Sequence, residues 1–155
     1  MSDYLTQAII LGKEAHGEAD SKAIVFTKNF GKLRARVKSS RKITSKLSGH
    51  IEPLNKVVAR RIELTNGEFQ IVDVLRIGRL SPALMPFLFF LEKITVSHEP
   101  NFKLWNIIKS IPDEREPLDI SLLIRKTLDV SGFSPDLAHC NYCLGKPSHF
   151  LFETA

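Results

Sequence analysis

Between Gly31 and Lys38 the chain alternates strictly. Lys32, Arg34, Arg36 and Lys38 occupy one parity, and Leu33, Ala35 and Val37 the other. Successive side chains of a β-strand point to opposite faces, so this stretch presents four cations on one face and three apolar groups on the other. The cations recur roughly every 6.6–6.8 Å, twice the rise per residue. Like charges at that spacing repel and call for a partner. A polyanion lying along the strand would be one, and bulk water over the outer face of an antiparallel sheet is the other.

The neighbouring segments read as further strands. Leu5–Leu11 ends in a continuous apolar run before Gly12, and Lys13–Asp20 reads as a polar turn region. Lys22–Thr27 is β-branched and aromatic, and Lys28-Asn29-Phe30-Gly31 supplies a turn into the basic strand. Residues 39–49 are polar and basic with weak helical character around Ile43 and Leu47. Leu54–Leu64 is a fourth strand, Thr65-Asn66-Gly67-Glu68 a hairpin turn, and Phe69–Leu75 a fifth strand. Five strands with a helical segment between the third and fourth suit an OB-fold barrel, and an SH3-like barrel fits the count nearly as well.

After Arg79-Leu80-Ser81-Pro82 the apolar period changes from two to between three and four. Ser81 and Pro82 suit the start of a helix, and Leu84, Phe87, Leu88, Leu91 and Ile94 mark its buried face, with His98-Glu99-Pro100 ending it. Asn101–Ile111 is a second helix with Phe102, Trp105, Ile108 and Leu104 inward. Leu118–Ser131 is a third, with Leu122, Leu123, Leu128 and Val130 apolar. The expected class is α+β: a five-stranded OB-fold β-barrel over residues 1–80, followed by a small α-helical domain over 81–155. A hydrophobic content of 43% in 155 residues is enough for the core this requires.

Charge divides along the same line. Residues 1–80 carry 15 Lys and Arg against 8 Asp and Glu, whereas 81–155 carry 7 against 9. Lys28, Lys32, Arg34, Arg36, Lys38, Arg41, Lys42 and Lys46 crowd into 28–46, a stretch with no acid at all, which marks the front of the chain for anion binding. The expected nucleic-acid contact set is Lys32, Arg34, Arg36, Lys38, Arg41, Lys42 and Lys46. Phe26, Phe30 and Phe69 could stack on bases as OB-folds do; Phe30 is the better candidate, while Phe26 reads as core.

Catalytic patterns are missing. There is no phosphate-binding Gly-x-x-x-x-Gly-Lys-Ser/Thr loop, no Gly-x-Gly-x-x-Gly and no His-Glu-x-x-His. Glu14, His16, Glu18 and Asp20 cluster in a segment that reads as a solvated turn. Cys140-Asn141-Tyr142-Cys143 has the spacing of half a zinc knuckle. A structural zinc takes four ligands, and only His139 and His149 stand near enough in sequence to help, so no metal and no other cofactor is expected. The longest apolar run, Ala83–Leu91, is broken by Pro86 and too short to span a membrane, and no secretory signal precedes it. The expected compartment is the cytoplasm.

Several stretches resemble the RecO family of bacterial recombination mediators. They are Glu18-Ala19-Asp20, Phe26-Thr27, Gly31-Lys32-Leu33-Arg34-Ala35, Lys38-Ser39-Ser40-Arg41-Lys42 and Ser45-Lys46-Leu47. Further on, His98-Glu99-Pro100, Phe102, Leu104, Val130–Leu137 and the Cys140/Cys143 pair resemble its helical domain running into a zinc-binding segment. The resemblance implies a non-enzymatic OB-fold protein that binds single- and double-stranded DNA and anneals complementary strands. It also implies partners: RecR, the single-stranded-DNA-binding protein and, through them, RecA, in a bacterial, nucleoid-associated setting. Lys93, Lys103, Lys109, Arg125 and Lys126 could meet the acidic tail of the single-stranded-DNA-binding protein. From the residues alone, an RNA-binding barrel and a protein-interaction adaptor stay open beside this reading.

Overall fold

The computed structural model describes residues 3–63, 67–113, 119–133, 138–140 and 143–146. Strands β1 (Asp3–His16), β2 (Asp20–Thr27), β3 (Gly31–Val37), β4 (Asn55–Glu63) and β5 (Phe69–Arg79) close into a barrel in the order β1-β2-β3-β5-β4. All pairings are antiparallel except β3 with β5, which run parallel from Ala35 opposite Phe69 to Val37 opposite Ile71. Helices α1 (Met85–Ile94), α2 (Phe102–Ser110) and α3 (Ile120–Val130) follow, so the class is α+β, as expected.

Two apolar clusters hold these parts. The inward parity of the strands fills the barrel with Ala8, Ile10, Ala23, Val25, Leu33, Ala35, Val37, Val57, Ala59, Ile71 and Val74. The second cluster lies outside the barrel wall. Ile9 and Leu11 of β1 and Ile24 and Phe26 of β2 pack there against Leu80, Leu84, Phe87, Leu88, Leu91, Leu104, Trp105 and Ile108. Apolar runs are therefore continuous in β1 and β2, where both faces are covered, and alternating in β3, where one face is wet. Phe26 is core as expected, but on the outer face, its ring centroid 6.4 Å from that of Trp105. Lys56 of β4 ties the end of α2 to the barrel by donating to Ile111 O at 2.6 Å and pairing with Asp113 at 2.9 Å.

Several boundaries differ from the sequence reading. Lys13–His16 is not a turn: β1 passes a bulge between Ile10 and Gly12 and stays paired with β2 until His16 faces Asp20. Residues 13–16 are polar because that arm of the hairpin stands in water, so they carry no apolar signal. β5 runs on to Arg79 rather than stopping at Leu75, its last residues Gly78 and Arg79 pairing with Lys56 and Asn55 of β4. Residues 38–47 form turns, with one 3-10 turn at Ser48–His50, in place of helical character around Ile43. Leu64, the expected end of the fourth strand, and Thr65 and Asn66, the first half of the expected hairpin turn, lie outside the described residues.

Ser81 caps a 3-10 turn at Pro82–Leu84, and α1 buries Phe87, Leu88 and Leu91 as its spacing predicts. It stops at Ile94, where the Thr95 side chain donates to Leu91 O. Residues 95–101 then cross the barrel as a strap. Ser97 bridges Lys32 in parallel, and His98 N donates to Lys32 O at 3.0 Å. In α2 the inward set is Leu104, Trp105 and Ile108; Phe102, expected inward, sits on the exposed first turn after the Asn101 cap. In α3 Leu123 and Thr127 are buried, whereas Leu122 is exposed. The α3 start expected at Leu118 lies outside the described residues.

Candidate nucleic-acid interface

The β2–β3 register determines what the basic face looks like. Lys22 stands opposite Arg36, Ile24 opposite Arg34, and Phe26 opposite Lys32. The Phe26 end of this face lies under the helices and the strap, while the Lys22 end is open. The four cations of the alternating stretch therefore meet different surroundings.

Lys32 is drawn under the cover. Its Nζ donates to Glu92 O in the last turn of α1, where a cation also meets the negative end of the helix dipole. Burial pushes its pKa below the usual lysine value, with Arg34 and Lys93 adding to the fall and Glu92 opposing it. Arg34 is exposed, 3.7 Å from Glu14 and 3.9 Å from Glu92, a loose pairing across water. Arg36 is held firmly: Nε and Nη2 both donate to Asp20 Oδ2, at 2.8 and 2.6 Å. Asp20 Oδ1 accepts Ser39 N at 2.7 Å, so one carboxylate joins the β1–β2 turn, β3 and the loop after it. The Ser39 hydrogen bond, then the Arg36 one, hold the Asp20 carboxyl below its ordinary pKa. Lys38, Arg41, Lys42 and Lys46 are exposed on the loop beyond β3, with Arg41 Nη1 donating to Gly17 O at 2.6 Å.

Between the open end of β2–β3 and the strap lies a cleft of about 270 Å³, lined by Lys22, Arg34, Arg36, Gly67, Glu68, Phe69, Ser97 and His98. The Phe69 and His98 rings face each other there, with centroids 5.4 Å apart. Guanidinium and ammonium groups beside flat rings can take a phosphate and a base together. Phe69, named with Phe26 and Phe30 as able to stack on bases, lies in this cleft, whereas sequence reasoning missed Lys22, Ser97 and His98. Lys22 was within reach, since the hairpin register puts it on the Arg36 face. The other two arrive through the strap, which no local pattern announces.

Phe30 is committed elsewhere. The Arg61 guanidinium carbon lies 3.6 Å from its ring centroid, 4.4 Å from that of Phe69 and 4.9 Å from that of Tyr4, while Tyr4 and Phe30 meet edge-on at 5.3 Å. Arg61 is buried, its Nε and Nη1 meet no acceptor among the described residues, and burial lowers its pKa. Three aromatic faces take the place of a counter-ion. Phe30 thus helps close one end of the barrel.

Around the Cys140/Cys143 pair, Cys140 N donates to Gly145 O and Leu144 N to Cys140 O, each at 2.8 Å. His149 lies outside the described residues. Among the described residues no group of three or more His, Cys, Asp or Glu is gathered for a metal. No helix among the described residues is long and apolar enough to cross a membrane.

Comparison with known proteins fits this geometry. Residues 1–73 match the family described as Recombination protein O N terminal. The DNA repair protein RecO of Dehalococcoides mccartyi is 29% identical over 155 residues, an alignment covering 91% of this chain and 61% of the relative. Those of Thermodesulfovibrio yellowstonii and Alkaliphilus metalliredigens are 27% and 26% identical, covering 90% and 89% of this chain and 62% of each relative. The chain spans about six-tenths of the length of these curated relatives. The family model covers just under half of the chain and the alignments run on through the helices, so the chain is similar to RecO proteins over about nine-tenths of its length.

Proposed function

We propose that this chain is a DNA-binding protein of repair and recombination whose barrel is an OB-fold, and that it acts without a catalytic centre. One observation carries the reading: the bare part of the barrel wall sets Lys22, Arg34 and Arg36 around a cleft that also holds the half-buried Phe69 ring and the exposed His98 ring, and the loop bearing Lys38, Arg41, Lys42 and Lys46 follows directly. Phosphates neutralised along this surface release counterions, and two strands held on one such surface are brought close enough to pair. Lys32, tied to α1, serves the cover rather than the track. RecR, the single-stranded-DNA-binding protein and RecA are the proposed partners, in the cytoplasm at the nucleoid.

The test is binding to single-stranded DNA at two salt concentrations, followed by annealing of complementary oligonucleotides. With about five phosphates contacted, affinity falls on the order of 100-fold for a fourfold rise in salt. Reversing Arg36 would also release Asp20, so Arg34→Glu and Lys42→Glu are the cleaner variants. Each should weaken binding and flatten the salt slope. Binding insensitive to salt, or unchanged in the double reversal, would overturn the reading. Stronger binding to a matched RNA oligonucleotide would redirect it.

A further inference from the structure

Ile43 is the most exposed large apolar side chain among the described residues, fully open to solvent. Single exposed aliphatics are ordinary on protein surfaces. This one differs in how it is held and in what surrounds it. It follows Lys42 in a hydrogen-bonded turn closed by Ser45 N donating to Lys42 O at 2.9 Å. The loop below is tied down at several points: Ser39 N to Asp20 Oδ1, Arg41 N to Ala19 O at 2.9 Å, and Ser40 Oγ to Val37 O at 3.0 Å within the buried base. An apolar tip is thus presented on an anchored base, with little ordering left to be done on contact. Arg41 and Lys42 precede it, Lys46 follows, and no acid lies between Ser21 and Ile51.

A partner for this tip must offer negative charge on either side of a flat apolar slot. A stack of nucleobases between two phosphate backbones has that form, and proteins that deform nucleic acids insert Ile, Leu or Phe between base steps flanked by cations in this manner. We propose that Ile43 is a wedge that enters the base stack of DNA bound along the basic loop and unstacks one step. The wedge rests on the DNA-binding reading and adds a local opening of the stack to it. It acts next to the phosphate contacts of Lys42 and Lys46, so charge positions the strand while Ile43 opens it.

The experiment uses the full chain and oligonucleotides carrying 2-aminopurine, whose emission rises when its neighbours unstack. Emission is read at saturating protein, with binding measured separately by anisotropy and folding by thermal melt. Wild type should raise emission about twofold or more, Ile43→Ser should lose about half or more of that rise, and Ile43→Leu should keep it. Lys42→Ala should weaken binding without changing emission at saturation. An equal rise for wild type and Ile43→Ser at saturation overturns the wedge and leaves DNA binding intact. No binding by wild type at low salt overturns both. Binding to phosphatidylglycerol vesicles that depends on Ile43, with no change in 2-aminopurine emission, overturns the wedge and assigns the tip to a lipid surface.

Discussion

The β2–β3 hairpin carries two different outer faces within a few residues. At one end Ile24 and Phe26 lie sealed beneath α1 and α2, and Lys32 is drawn in after them. At the other, Lys22, Arg34 and Arg36 border an open cleft. The same strand pair is half structural wall and half binding surface, and the helices decide where the division falls. Charge parity in a sequence therefore marks a face that can be wet. Whether each cation on it is available depends on what packs over the strand.

Substitution at the sealed end should have the largest effect on stability. Phe26 is 1% exposed and touches Trp105 and the α1 core. Phe26→Ala removes a ring from between barrel and helices and should cost about 3–5 kcal/mol. Arg34→Ala, at an exposed side chain directly opposite Ile24, should change stability by about 0.5 kcal/mol or less. Denaturant midpoints for the pair, at unchanged m-value, measure the contrast directly. Equal effects would mean that the two faces are not divided as described.

The alternation of β3 was legible because one face is core and the other water, and Leu33, Ala35 and Val37 all fill the barrel. The runs of β1 and β2 were legible as strands, but their meaning was not. A continuous apolar run says that both faces are covered without saying by what. The helical cover of Ile9, Leu11, Ile24 and Phe26 is a tertiary fact. The hairpin arms beyond Gly12 were invisible for the opposite reason, since neither parity of Lys13–His16 is apolar. The candidate site was half legible: the loop cations stand where a run without acids placed them, while Arg36 found Asp20 across the β1–β2 turn. The strap was not legible at all, because its bond to Lys32 is made by backbone, which carries no sequence signature.

The boundary between the two faces can be moved through Gly31. Its φ of +66° is in the left-handed region, and a Cβ there would run into the Glu99 backbone. Gly31→Ala should destabilise by about 2–3 kcal/mol, combining the backbone strain with displacement of the strap. Because the strap covers this end of β3, the variant should also speed hydrogen exchange at His98 N, which donates to Lys32 O in the native chain. Loss of stability without faster exchange there would place the cost in the hairpin turn alone.

The smallest effect belongs to the open end, and its sign follows from Asp20. The carboxylate is held by Ser39 N and by Arg36, so its folded pKa lies below the unfolded value. A group depressed in this way stabilises the fold fully above its unfolded pKa and loses that contribution as the pH falls through the lower, folded value. Asp20→Asn removes the charge at every pH. Melting curves of wild type and variant should therefore run apart by a constant small gap at neutral pH and converge in acid, after the pH has passed below the ordinary aspartate range. The variant also frees Arg36 from its counter-charge. At neutral pH it should bind single-stranded DNA more tightly than wild type, with a salt slope steeper by up to about 0.7 for the added phosphate contact. A gap that stays constant into acid would show that Asp20 acts by shape and not by charge. Unchanged DNA affinity would show that Arg36 serves the loop anchor and takes no part in the track.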